Sequence, residues 1–234
     1  MIQSKTYRRV NSLNSFLSKT FSTVAVGVAI SAVLAFISSK IAPIMMMRNP
    51  GLVTVISLLL IIGELAIAFY FSLNLNRMSE RTALICYLLY SVVTGISFST
   101  IIMSYAGATV TLAFVSTAIM FACMSYIGRT SDLKFSRVYA IFLPAIIAGA
   151  IITLLNVFIF HSTGLEMLIV YIGLILFLII TAADVQRLED FYYSSNGNEE
   201  LANKLVLLGA FQLYLDFANL FIKIIRIFGR RRDN

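Results

Sequence analysis

Seven stretches of mostly apolar residues recur along the chain, at about residues 21–47, 51–73, 83–105, 109–127, 138–160, 166–186 and 205–228, each set off from the next by charged or turn residues. A helix needs roughly 20 such residues to cross the hydrocarbon of a bilayer. None of the stretches alternates apolar with polar positions, and several are about twice the length of a tilted barrel strand. The pattern therefore predicts an all-α, polytopic membrane protein with seven transmembrane helices. Lys40 and Pro43 interrupt the first stretch, so its regular part is expected over residues 21–39, followed by an irregular end containing Met45, Met46 and Met47.

Composition removes the main competitor. Of 234 residues, 59% are hydrophobic and only 12% charged, with a mean hydropathy of +0.91; the charged share is about half that of a typical soluble domain. A soluble enzyme is excluded. Cys86 and Cys123 both lie in apolar stretches, and His161 is the single histidine, so neither a disulfide framework nor a multi-histidine metal centre is available. No cofactor is expected.

The net charge of +7 is placed as a topology signal and not as a nucleic-acid surface. Lys5, Arg8, Arg9, Lys19, Arg77, Arg81, Arg129, Lys134, Arg137, Arg187 and Lys204 all fall on one side if every stretch crosses. That side is expected to be cytoplasmic, with the N-terminus there. The basic tail containing Lys223, Arg226, Arg230, Arg231 and Arg232 then emerges outside, unless the last stretch dips in and returns; seven crossings are preferred because residues 205–228 are long enough to span. The organisation expected is a cytoplasmic segment over 1–20 that is not a cleaved signal, one membrane domain over 21–229, and a basic tail over 230–234. A compact chain of this kind suits a bacterial cytoplasmic (inner) membrane.

Ionisable residues inside a bilayer cost about 2.5 to 3.5 kcal/mol each on insertion scales, and so mark function by default. Three acids qualify: Glu64 in the second stretch, Asp184 near the end of the sixth and Asp216 in the middle of the seventh. In the seventh, Gln212, Asp216, Asn219 and Lys223 are spaced by four, three and four, which puts them on one helical stripe. Such a stripe should face the bundle interior, either as an ion pathway or as structural glue between helices. Asp184 has an alternative partner in Arg187 three residues later, and Glu64 could be a neutral acid hydrogen-bonded to a neighbour. His161, beside Ser162 and Gly164, is expected to be a solvated loop residue, and Tyr105, Tyr126 and Tyr139 to sit at the membrane interface.

The segment Leu213-Tyr214-Leu215-Asp216-Phe217-Ala218-Asn219-Leu220-Phe221, followed by Ile225-Arg226-Ile227-Phe228-Gly229, resembles the last-helix signature of the transmembrane Bax-inhibitor motif family. Ala183-Asp184-Val185-Gln186 resembles that family's Asp-x-Gln pattern on the sixth helix, and Thr94-Gly95-Ile96-Ser97 its third-helix motif. The resemblance covers about residues 20–229. It implies a seven-helix bundle with the C-terminal helix central and the other six around it. It also implies a pH-sensitive calcium leak controlled by an aspartate pair, by residue matching Asp184 and Asp216, with an arginine at the end of the second helix able to latch onto the pair. Arg77 is the nearest candidate for that latch, displaced toward the loop by Asn74 and Asn76.

Two carboxylates within hydrogen-bonding distance cannot both ionise cheaply, so such a pair shares one proton and titrates as a unit. With nearby carbonyls and waters it could also hold a calcium ion transiently. Glu64, Arg77, Gln212 and Asn219 are the further candidates for pathway or gating. The bilayer and calcium ions are the expected partners. The alternative is a regulatory protein that binds another membrane complex, such as a membrane protease, through its basic N-terminus and the charged connection over residues 187–204. An intramembrane aspartyl protease would need Gly-x-Gly-Asp around the second acid, where this chain has Leu213-Tyr214-Leu215-Asp216. It is not expected to be an enzyme.

Overall fold

A computed structural model describes the backbone of residues 2–131 and 138–229, and the side chains within them except those of residues 2–12, 76, 138 and 139. Seven long helices follow one another: α1 (Ile2–Arg48), α2 (Pro50–Asn74), α3 (Glu80–Ser104), α4 (Gly107–Thr130), α5 (Val138–Leu155), α6 (Thr163–Ser194) and α7 (Glu199–Phe228). All seven contain a span long and apolar enough to cross a membrane, and the described residues hold no strand. The chain is an integral membrane protein.

Capping residues in the connections set where helices begin. The side chain of Asn49 accepts a hydrogen bond from the Leu52 amide at 3.1 Å ahead of α2, with Pro50 at the first helical position. Ser79 accepts from Thr82 N at 3.2 Å ahead of α3, Ser162 from Leu165 N at 3.2 Å at the start of α6, and Asn198 from Leu201 N at 3.1 Å ahead of α7. Each satisfies one amide that a helix start leaves orphaned. α5 passes into a π-helical turn (Asn156–Phe160) and ends at His161, which takes the left-handed conformation at φ 50°. His161 is exposed, as its loop position suggested.

Two boundaries differ from the sequence reading. α1 runs unbroken through Lys40 and Pro43 to Arg48. A proline removes only one ladder hydrogen bond, and membrane helices absorb such a loss. The second concerns the charged connection over residues 187–204, expected to be a loop between the sixth and seventh stretches. α6 instead continues to Ser194, and only residues 195–198 are non-helical. Leu188 and Phe191 are buried at 0% and 8% exposure and give this extension an apolar face; Asn196 (φ 49°) and Gly197 (φ 80°) then supply the left-handed residues of the turn.

The chain divides into two compact units. Unit 1 comprises Met1–Ala106 and Phe191–Tyr214; unit 2 comprises Gly107–Asp190 and Leu215–Asn234. In unit 1, α1 packs chiefly against α3. At Gly95 the backbones come so close that an added Cβ would lie 2.8 Å from Ser31 Cα, which gives the third-helix motif a packing role. The aromatic core of this unit is built on α7 residues: the Phe211 ring lies tilted 4.7 Å from Phe71 and edge-on 4.9 Å from Tyr90, and Tyr214 edge-on 5.8 Å from Tyr90. In unit 2, Phe217 lies edge-on to Phe114 and Phe121 at 5.6 and 5.7 Å.

α7 is the most enclosed span, with 72% of its apolar window buried against 0% for α2 and 6% for α5. Large apolar side chains such as Leu73, Phe158 and Ile141 are left exposed. Apolar exposure on this scale is a lipid-facing surface. Lys134, Arg137, Arg230, Arg231 and Arg232 lie outside the described residues, as do the side chains of Lys5, Arg8, Arg9 and Tyr139.

Candidate functional site

Unit 2 brings together two acids that are 32 positions apart in the chain. Asp184 on α6 and Asp216 on α7 are 6% and 3% exposed, and their side chains are hydrogen-bonded to each other. Ionised carboxylates only accept hydrogen bonds, so a contact of this kind is favourable when one of the two carries a proton. The second Asp216 oxygen, Oδ2, is buried without a hydrogen-bond partner. An oxygen in that state is poised to take a donor or a cation, since leaving it dry costs free energy.

The helices that hold the pair are fixed by backbone contact. On α4, Gly128 approaches the Ala182 carbonyl of α6 so closely that any Cβ would overlap it, two residues before Asp184. Further along the α6–α7 seam, Lys223 lodges its side chain in a notch at Gly173, where an added Cβ would lie 2.7 Å from Cε. Its Nζ stands 5.9 Å from the centroid of the Phe177 ring, an edge of the range for cation–π attraction. Lys223 is about 10 Å of helix rise from Asp216. At the end of the seam Arg226 Nη1 pairs with Glu166 Oε1 at 3.6 Å. Both are half exposed, so the contact contributes little to stability.

The other candidates are distributed differently. Asn219 belongs to unit 2, but its Nδ2 donates to Leu215 O at 2.8 Å on its own helix. Gln212 belongs to unit 1, and its Oε1 is buried without a partner. The remainder of α7 is no less enclosed than the polar stripe, because Leu213 and Leu220 are both 0% exposed. Arg77 ends the short 3₁₀ turn after α2 (Leu75–Arg77) in unit 1 and is exposed. Arg187, the proposed local partner of Asp184, is likewise exposed.

Glu64 lies in unit 1 beside Thr94 and Ser97 of α3. Glu64 Oε1, Thr94 Oγ1 and Ser97 Oγ are nevertheless all buried without a hydrogen bond of proper geometry. One turn away, Tyr214 OH and Ser31 Oγ are 2.6 Å apart, and Ser31 Oγ donates to Ser91 O at 2.7 Å. With the Ser31 hydrogen spent on a carbonyl, Tyr214 is the donor of the first bond. The sequence reading quoted Tyr214 within a motif but gave it no role, and Ser31 carried no signal at all.

No group of three or more His, Cys, Asp or Glu side chains converges among the described residues. A calcium ion at Asp184 and Asp216 would have to complete its shell with carbonyls and water, since it takes about six to eight oxygens.

Residues 13–233 match the family described as inhibitor of apoptosis-promoting Bax1. The chain is 32% identical over 221 residues to the inner membrane protein YbhL of Escherichia coli K12, covering 94% of this chain and 93% of that one. It is 32% identical to an uncharacterised protein of Borreliella burgdorferi, covering 94% of each chain. It is 33% identical over 227 residues to an uncharacterised membrane protein of Streptococcus pyogenes serotype M1, covering 93% of each.

Proposed function

Because the chain belongs to the Bax inhibitor-1 family of membrane proteins, we propose that it is a pH-sensitive calcium leak of a bacterial inner membrane, gated by the proton that Asp184 and Asp216 share. The observation that carries this reading is the contact of two buried acids from different helices. The inner-membrane placement follows the description of YbhL.

A single shared proton ties the sixth helix to the seventh. When rising pH removes it, two like charges remain; at about 4 Å and an effective dielectric of about 20 their repulsion is of the order of 4 kcal/mol. A few kcal/mol is enough to invert the populations of two packings of a bundle. The ionised pair either parts or takes up a cation, for which the unpartnered Asp216 Oδ2 offers a ligand. Two carboxylates supplemented by water make a weak calcium site, suited to passage more than to storage.

Reconstitution of the purified protein in liposomes tests this. Calcium flux measured across a pH series should depend on pH for the native chain, and Asp184→Asn and Asp216→Asn should each flatten that dependence. Unchanged profiles in both variants would remove the proposed sensor. A regulator acting on another membrane complex would be silent in the same vesicles, because a leak needs no partner.

A further inference from the structure

Asp216 has a second ionisable residue on its own stripe of α7, Lys223, for which the aspartate pair gives no account. Its position in the sequence groups it with the basic tail, yet α7 continues past it to Phe228 and its side chain lies half-buried against α6. The contact is at Gly173, where an added Cβ would lie 2.7 Å from Cε and 3.4 Å from Nζ. Gly173 is about 15 Å of helix rise from Thr163 at the start of α6, and about 16 Å from Asp184 in the other direction. Counted from the start of α6, that is half of a hydrocarbon core about 30 Å thick. The ammonium therefore lies within the span and not in a headgroup layer.

Among the described residues no acid pairs with it. Those of unit 2 are Glu166, Asp184, Glu189, Asp190 and Asp216. Glu166 is engaged with Arg226 at 3.6 Å. The two buried aspartates are hydrogen-bonded to each other, and Glu189 and Asp190 lie beyond Asp184 along α6. What faces the ammonium is the Phe177 ring, with its centroid 5.9 Å from Nζ. A ring face attracts a cation weakly and leaves its charge in place. An uncompensated charge at this depth is costly to keep, and so marks function by default.

We propose that Lys223 is the charge barrier of the leak, a fixed positive charge on the α6–α7 seam that slows cations moving between the aspartate pair and the C-terminal end of α7. This rests on the calcium-leak reading and adds what limits and selects the flow. The carboxyl groups attract the ion, and the ammonium two turns further along the same helix repels it. Basic side chains serve as barriers to cations in other pores. Coulomb repulsion grows in proportion to the charge of the ion. Removing the barrier should therefore speed a divalent cation by the square of the factor for a monovalent one, and leave an uncharged solute unaffected. A lysine that only packs the seam would, on removal, loosen it for every solute alike.

The test compares the full chain with Lys223→Met, which keeps an unbranched apolar side chain without the charge, and Lys223→Arg, which keeps the charge, all in liposomes. Lys223→Met should raise calcium flux about tenfold and potassium flux about threefold, with glycerol entry unchanged. Lys223→Arg should stay within about twofold of the native chain for all three. If the methionine variant does not fold, Lys223→Gln replaces it with the same expectation. Calcium flux unchanged in the neutral variant would overturn the proposal, as would an equal rise for calcium, potassium and glycerol, or the same rise in Lys223→Arg. The asparagine variants keep the two readings apart. Flattened pH profiles in Asp184→Asn and Asp216→Asn with no rise in Lys223→Met would remove the barrier and leave the sensor. A rise in Lys223→Met with native pH profiles in both asparagine variants would remove the sensor and leave the barrier. No calcium flux in any of these chains would remove both.

Discussion

At the scale of single residues, Asp216 is the side chain on which the account turns. One of its oxygens is engaged with Asp184 and the other has no partner. Asparagine at this position can still donate a hydrogen bond to Asp184 while having no proton to lose. Alanine would instead leave Asp184 buried without its acidic neighbour. Asp216→Ala should therefore lower stability by about 1 to 3 kcal/mol more than Asp216→Asn does, measurable by thermal or denaturant unfolding in micelles; equal losses would mean that the hydrogen bond between the acids contributes nothing. The two acids were legible in the sequence because charge inside an apolar run is costly and therefore conspicuous. Thr94 and Ser97 appeared only as members of the third-helix motif and Ser31 not at all, since a hydroxyl in a membrane helix normally bonds its own backbone, as Thr117 does to Ala113 O at 2.7 Å, and the pattern of apolar and polar positions gives it no role.

At the scale of elements, apolar run length located all seven helices because the bilayer imposes a minimum length. It misplaced their ends where other forces take over. α6 has 32 residues, about 12 more than a span requires, and the excess is held by Leu188 and Phe191, which hydropathy cannot distinguish from loop residues between charges. The polar stripe of α7 correctly indicated an enclosed helix. It did not show that the opposite face is enclosed as well, with Leu213 and Leu220 fully buried, because burial by protein and burial by lipid select the same side chains. The backbone contact of Gly128 with Ala182 fixes α6 close to Asp184. Gly128→Leu should push α6 away from α4, cost about 1 to 3 kcal/mol of stability and disturb the pH dependence of flux without removing either acid. Native stability together with a native pH profile would show that this approach has no bearing on the pair.

For the whole molecule, the reading that all seven helices cross predicts that the two ends of the chain emerge on opposite sides of the membrane, and the basic residues of the connections predict that the N-terminus is the cytoplasmic one. A reporter active only outside the cytoplasm should therefore work when fused after Asn234 and fail when fused before Met1. Activity of both fusions on the same side would mean that one span does not cross. The division into units bears on the mechanism, because Asp184 and Asp216 belong to the same one. A proton shared between them would thus be an internal link of unit 2, between α6 and the second half of α7.

Infrared difference titration of the protein in vesicles, following the carbonyl stretch of protonated carboxyl groups, observes that proton directly. The account predicts one buried protonated carboxyl whose loss tracks the pH dependence of calcium flux, which persists in Glu64→Gln and is absent from Asp184→Asn and Asp216→Asn alike. A spectrum in which both asparagine variants keep the native signal, or in which the native protein has none, would contradict it.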